Sequence, residues 1–202
     1  HYEQGKSLSI NNFAILEENN KIKLNKLTFN KNNLINSLEY VEFDYLDIDN
    51  KLNKYLIKRI EKNKYNLNGL SFNSNALITS LLKNNKKKKN NIFQNNIVLN
   101  INLEEVFLDK FNYISDFKGN LLIKNNNIID ANLSALFSNN QNISFTINTD
   151  MDNNKITTLY SSRAKPLVKR YKFIKGFEEG SLDFYSFKKD NISKSTLKLY
   201  DF

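Results

Sequence analysis

The sequence predicts a mainly β fold with a few short helices, an α+β chain organised on an antiparallel sheet. Three observations point to it. Apolar and polar residues alternate at period two, most regularly where Ile97, Leu99, Ile101 and Leu103 are interleaved with Asn100, Asn102 and Glu104. Short polar runs such as Asn125–Asn127 and Ser138–Gln141 separate these stretches and have turn chemistry. One amphipathic helix, with a clear start and stop, is predicted near the carboxy-terminal end.

In chain order, residues 6–16 read as a strand whose apolar parity changes between Ile10 and Phe13, the mark of a bulge or a twist. A second strand starts at Ile22 and Leu24 and shifts phase at Leu27 and Phe29, and a third runs from Leu38 to Tyr45. Leu52, Tyr55, Leu56 and Ile60 have helical spacing behind Asp49 or Asn50 as cap, so residues 51–62 are expected to form a helix in preference to a lysine-broken strand. Tyr65 to Phe72 reads as a strand, followed by a short helix over Ala76, Leu77, Leu81 and Leu82 capped by Ser74 or Asn75.

The segment KNNKKKKNN, residues 83–91, cannot bury anything and is expected to be a solvated joint. It divides the chain into a β-rich part with short helices, 1–90, and a more regular antiparallel part, 91–202, unless the two form one continuous domain. In the second part, strands are expected at 97–103, 117–123 with a bulge or turn at Gly119, 129–135, 143–147 and 156–160. A helix over 162–175 follows. Ala164, Leu167, Val168, Tyr171 and Ile174 recur at three and four residues, Ser161 or Ser162 stands at the cap, and Gly176 stands at the stop. Leu182–Phe187 and Leu197–Phe202 close the chain as a hairpin around residues 188–191.

Composition narrows the chemistry. The 202 residues contain no cysteine and a single histidine, His1, which excludes disulfides, thiolate metal sites and histidine-based catalysis. A formal charge of +9 suits an anionic partner, although the Lys, Asn and Ile bias behind it is first of all what an AT-rich coding sequence produces. No apolar run approaches the roughly 20 residues needed to span a bilayer, and HYEQGKSLSI has no export-signal pattern. The chain starts in strand-like sequence, so a segment of a longer protein is expected.

Candidate constellations are sparse. Asp44, Asp47 and Asp49 lack the glycine and glutamate of a calcium loop. Glu104 and Glu105 are sequence neighbours that a strand points to opposite faces, and Glu178 with Glu179 reads as turn solubility, so neither pair is an acid/base dyad. Ser161, Ser162 and Lys165 lack an arguable oxyanion donor, and Lys169–Phe173 reads as a solvated helix face before it reads as a nucleic-acid surface. No catalytic residue, metal or cofactor is therefore expected, and the chain is read as a non-enzyme with no nucleic-acid partner. One remaining feature bears on function. A sheet with one apolar face needs a cover, and the helix is too short to cover many strands.

The segment TTLYSSRAKPLVKRYKFIKGFEEGSLDFYSF, ending in STLKLYDF, resembles the carboxy-terminal region of YhdP-like members of the AsmA-like superfamily of bacterial envelope proteins. So do the run NIVLNINLEEVFLDKFNYISDFKGNLLIKNNNIIDANLSALF and the leucine-rich FNSNALITSLLKNN before it. The likeness covers residues 64–202. It departs from the family pattern where Phe177, Glu178 and Glu179 separate Gly176 from Gly180.

The resemblance implies a curved antiparallel sheet forming an open groove, capped by the amphipathic helix. It also implies a periplasmic protein held at the inner membrane through a segment outside this chain, carrying phospholipid toward the outer membrane. The groove lining is then expected from Leu99, Ile101, Leu103, Leu121, Ile123, Ile129, Leu133, Ile143, Phe145 and Ile147. The alternative is a structural or interaction module of the envelope whose sheet is covered by its own helices or by a partner chain.

Overall fold

A computed structural model describes residues 7–77, 79, 95–125, 127–171 and 179–201. Twelve strands form one sheet in sequence order. They are β1 (Leu8–Glu17), β2 (Asn20–Phe29), β3 (Ile35–Leu46), β4 (Leu52–Glu61), β5 (Lys64–Asn73), β6 (Ile97–Phe107), β7 (Tyr113–Lys124), β8 (Asn127–Phe137), β9 (Gln141–Thr149), β10 (Lys155–Ser161), β11 (Ser181–Lys189) and β12 (Ile192–Tyr200). Every neighbouring pair is antiparallel except β5 and β6, which are parallel. Ile97, where β6 starts, therefore lies beside the start of β5 and not beside its end at Asn73, and the sheet runs unbroken from the first part of the chain into the second.

Asparagine makes the hairpins tight. Asn33, Asn50, Asn63, Asn125 and Asn153 all take positive φ in the connections, a conformation their short polar side chains tolerate. Three five-residue turns repeat one design. Asn30, Asp47 and Asp150 each accept, through the side-chain oxygen, the backbone N–H groups two and four residues on. The asparagine-rich composition, with two aspartates in the same role, thus supplies the turn chemistry.

The helix expected over 51–62 is strand β4. Leu52, Leu56 and Ile60 have helical spacing, but strands on both sides offer the segment a ladder each, through Tyr40–Leu46 on one edge and Lys64–Ser71 on the other. That pairing places Tyr55 and Ile57 on the apolar face and leaves Leu52 and Ile60 partly exposed. Tertiary pairing overrides a short helical period in this way. At the position of the expected parity change the β1–β2 ladder skips Asn11 and Lys26, Lys26 has φ 47°, and the register resumes unchanged, without a bulge.

Gly119 lies inside β7 rather than at a turn. The register breaks of that strand against β8 fall between Ser115 and Lys118, where Asp116 has φ 51°, and between Leu122 and Ile123. The helix of the carboxy-terminal part, α1, is Lys165–Tyr171, preceded by Ala164, whose carbonyl receives the N–H groups of Leu167 and Val168. Ser161 exchanges hydrogen bonds with the backbone of Arg163 and Ser162 donates to Asn142, so both hydroxyls serve the approach to the helix and not its first turn. Residues 75–77 and 79 are helical. The rest of the expected helix to Leu82, the joint at 83–91, helix residues beyond Tyr171 and the stop at Gly176 lie outside the described residues.

Two clusters hold most of the buried apolar side chains, while Val41, Tyr65, Ala131 and Ile147 are buried outside them. The larger centres on β6–β8, with Ile101, Leu103, Val106, Ile114, Ala135 and Phe137. The smaller joins Ala164, Leu167 and Val168 to Leu182, with Ile143, Leu159, Phe184, Leu197 and Leu199 packed against it. Burying Leu167 and Val168 there stabilises by about 1.5–3 kcal/mol each.

Candidate functional site

The register aligns one apolar row across all twelve strands. Phe13 is opposite Leu24, and the series continues through Val41, Ile57, Leu67, Ile101, Gly119, Leu133, Phe145, Leu159, Phe184 and Leu197. Side chains directly opposite in a ladder share a face, so this row lies on one side of the sheet. Only Gly119 interrupts its apolar character.

One residue along, and so on the other side, runs a polar row: Asn12, Asn25, Tyr40, Lys58, Asn66, Asn100, Asn120, Asn132, Thr146, Thr158, Tyr185 and Thr196. Its members bond across strands: Asn25 to Asn12 at 3.1 Å, Asn100 to Asn66 at 2.9 Å, and Thr146 with Thr158 at 2.6 Å. Ion pairs flank the row. Lys21 Nζ lies 2.5 Å from Glu42 and Lys54 Nζ lies 2.8 Å from Asp44. The hydrogen bond from Lys21, with a second from Tyr40, holds the Glu42 carboxyl below its ordinary pKa. The sheet is amphipathic through its whole width.

Nine of the ten predicted lining residues share the apolar face. Leu99, Leu121 and Ile147 align through Ala131; Ile101, Leu133 and Phe145 belong to the twelve-strand row; and Ile123 pairs with Ile97, Leu103 with Phe117, and Ile143 with Ala135. Ile129 differs. It sits in the irregularity where Ile123 pairs with Ile128 while Leu122 pairs with Asp130, and its carbonyl receives the Thr149 hydroxyl at 2.5 Å.

The residues missed were the amino-terminal members, Phe13, Leu24, Val41, Ile57 and Leu67, and the later Leu159, Phe184 and Leu197. Their alternation is visible within each strand. Their alignment depends on β4 being a strand and on the parallel join of β5 to β6.

Aromatic side chains pack on one another on this face near β3–β5. Phe43 stacks on Tyr55 with centroids 4.8 Å apart, and Phe72 meets Tyr55 edge-on at 5.3 Å. Burial there, with the Tyr45 hydroxyl nearby, pushes the Tyr55 hydroxyl up to about 12. Exposure grows toward the first edge, where Phe13 and Ile15 are each 48 % exposed.

The other candidates resolve into structural roles. Asp44 is paired with Lys54, and Asp49 accepts from Asn75 at 3.4 Å. Asp47 accepts the N–H groups of Asp49 and Lys51 and the side-chain amides of Asn53 and Asn73. Burial raises the Asp47 pKa, but those four donors together outweigh it and hold the carboxyl below its ordinary value. Glu104 is exposed and Glu105 half-buried on successive strand positions, and Glu179 is exposed. Lys172, Phe173 and Glu178 lie outside the described residues, as do the side chains of Lys169, Arg170 and Tyr171.

Among the described residues, no three His, Cys, Asp or Glu side chains are grouped to hold a metal ion. None of the described helices is long and apolar enough to cross a membrane. No protein-family model matches this chain, and no curated protein or solved structure matches it either.

Proposed function

We propose that this chain is a non-enzymatic, AsmA-like β-groove segment. Its apolar face binds phospholipid acyl chains, and it forms part of a lipid path between inner and outer membranes, held in the periplasm through a segment outside this chain. The observation that carries the reading is the apolar row through all twelve strands, backed by a polar row on the reverse face. Leu159, Phe184 and Leu197, at one end of that row, pack against the cluster of Ala164, Leu167, Val168 and Leu182, and in this reading the helix serves as the cap of that end. An acyl chain laid along the remainder gains about 0.8 kcal/mol for each methylene removed from water.

A second reading, a structural envelope module with a self-covered sheet, is supported by the middle of the same face. Leu103 and Ala131 are 1 % exposed and Phe137 is 2 % exposed. Mass spectrometry of the organic extract of purified protein separates the two. The first reading expects co-purifying phospholipid, reduced in a Leu24→Asp variant. A folded protein that carries none supports the second and removes the first.

A further inference from the structure

We propose that the outer edge of β1 is a strand-addition site, and that its occupant is β1 of a second copy of this chain. Strand β1 pairs with β2 from Leu8 to Glu17, and no strand lies on its other side among the described residues. An edge of ten residues in that state presents a row of unpaired N–H and C=O groups. Edge strands are ordinarily guarded by lysine, proline or short length. LSINNFAILE has none of these, and its one charge, Glu17, stands at the end.

The opposite edge differs. Strand β12, ISKSTLKLY, carries Lys194 and Lys198 on one face. Pairing β12 with itself about Thr196 would set Lys194 against the second copy's Lys198 twice over, an unfavourable like-charge arrangement. Pairing β1 antiparallel with itself about Ala14 sets Phe13 against the second copy's Ile15, Asn12 against Leu16 and Asn11 against Glu17, so no like charges meet. A two-fold axis normal to the sheet keeps the same side up in both copies, and the apolar row then continues from Phe13 into the partner. Phe13, Ile15 and Leu16, at 48, 48 and 68 % exposed, are the side chains this junction would cover.

Because the chain has no cysteine, a disulfide introduced at the axis reports only this contact. Directly opposite residues in an antiparallel pair lie roughly 4.5–5.5 Å apart at Cα, within disulfide reach. Ala14→Cys is expected to cross-link into a covalent dimer on mild oxidation, whereas Thr196→Cys stays monomeric. Sedimentation of the unmodified protein should give twice the 23.7 kDa chain mass at micromolar concentration. Leu16→Lys, at a solvent-facing position, should weaken that dimer at least tenfold with its circular dichroism unchanged. A monomer throughout, a larger assembly, equal cross-linking at both cysteines, or a dimer indifferent to Leu16→Lys would each overturn the assignment.

Discussion

Asn53 Oδ1 accepts the backbone N–H of Asn73 at 2.9 Å, tying the start of β4 to the end of β5 at the point where the chain leaves for its parallel return. Asn53 is 1 % exposed, and its amide also donates to Asp47 and to the Lys51 carbonyl. Replacing it by Ala strands a backbone donor and an aspartate oxygen together. Asn53→Ala is expected to cost about 2–3 kcal/mol in urea unfolding, more than an exposed Asn12→Ala, since an orphaned buried donor costs about 1–3 kcal/mol by itself.

The same network makes the fold acid-sensitive at Asp47. Its folded pKa lies below the unfolded value, so its contribution is fully present above the unfolded pKa, near 4, and is lost as pH falls through the folded pKa. Between pH 6 and pH 3 the wild type should lose more stability than Asp47→Asn does. Equal losses would assign the acid sensitivity elsewhere.

Tyr55 gives an effect of opposite direction. The unfolded chain ionises its tyrosines near 10, while the folded Tyr55 holds its proton to about 12. Between those values the unfolded state binds fewer protons, so stability falls with rising pH. Ultraviolet titration should show a late-ionising tyrosine that disappears in Tyr55→Phe, and that variant should lose less stability between pH 9 and pH 11.

Gly119 is the gap in the apolar row. It has φ 143°, and a Cβ there would collide with the Asn132 carbonyl oxygen. Gly119→Ala is expected to destabilise by more than about 2 kcal/mol, from a disfavoured backbone and a displaced neighbouring strand. The loss should show as a lower denaturation midpoint in urea.

Much of the fold was legible in single segments. The 97–103 alternation, the turn at 138–141 and the closing hairpin all correspond to described elements. Leu99, Ile101 and Leu103 could be placed on a common face because period two is a property of one strand. The segment 51–62 could not be read this way. Leu52, Tyr55, Leu56 and Ile60 fit a helix as well as isolated residues can, and only the two flanking strands decide otherwise. That error hid Tyr55 and Ile57, and with them the connection between the two halves of the apolar face.

By itself, the sequence determined that strands form, where asparagine turns them and, outside 51–62, which side of a regular strand is apolar, because backbone sterics and side-chain alternation act within a few residues. Only the tertiary structure decided that β5 joins β6 in parallel, that β4 is a strand, and that Phe13 and Leu197 belong to one row across twelve strands. Strand neighbours and register are set by hydrogen bonds and contacts between residues far apart in the chain, and no local period encodes which edge will meet which.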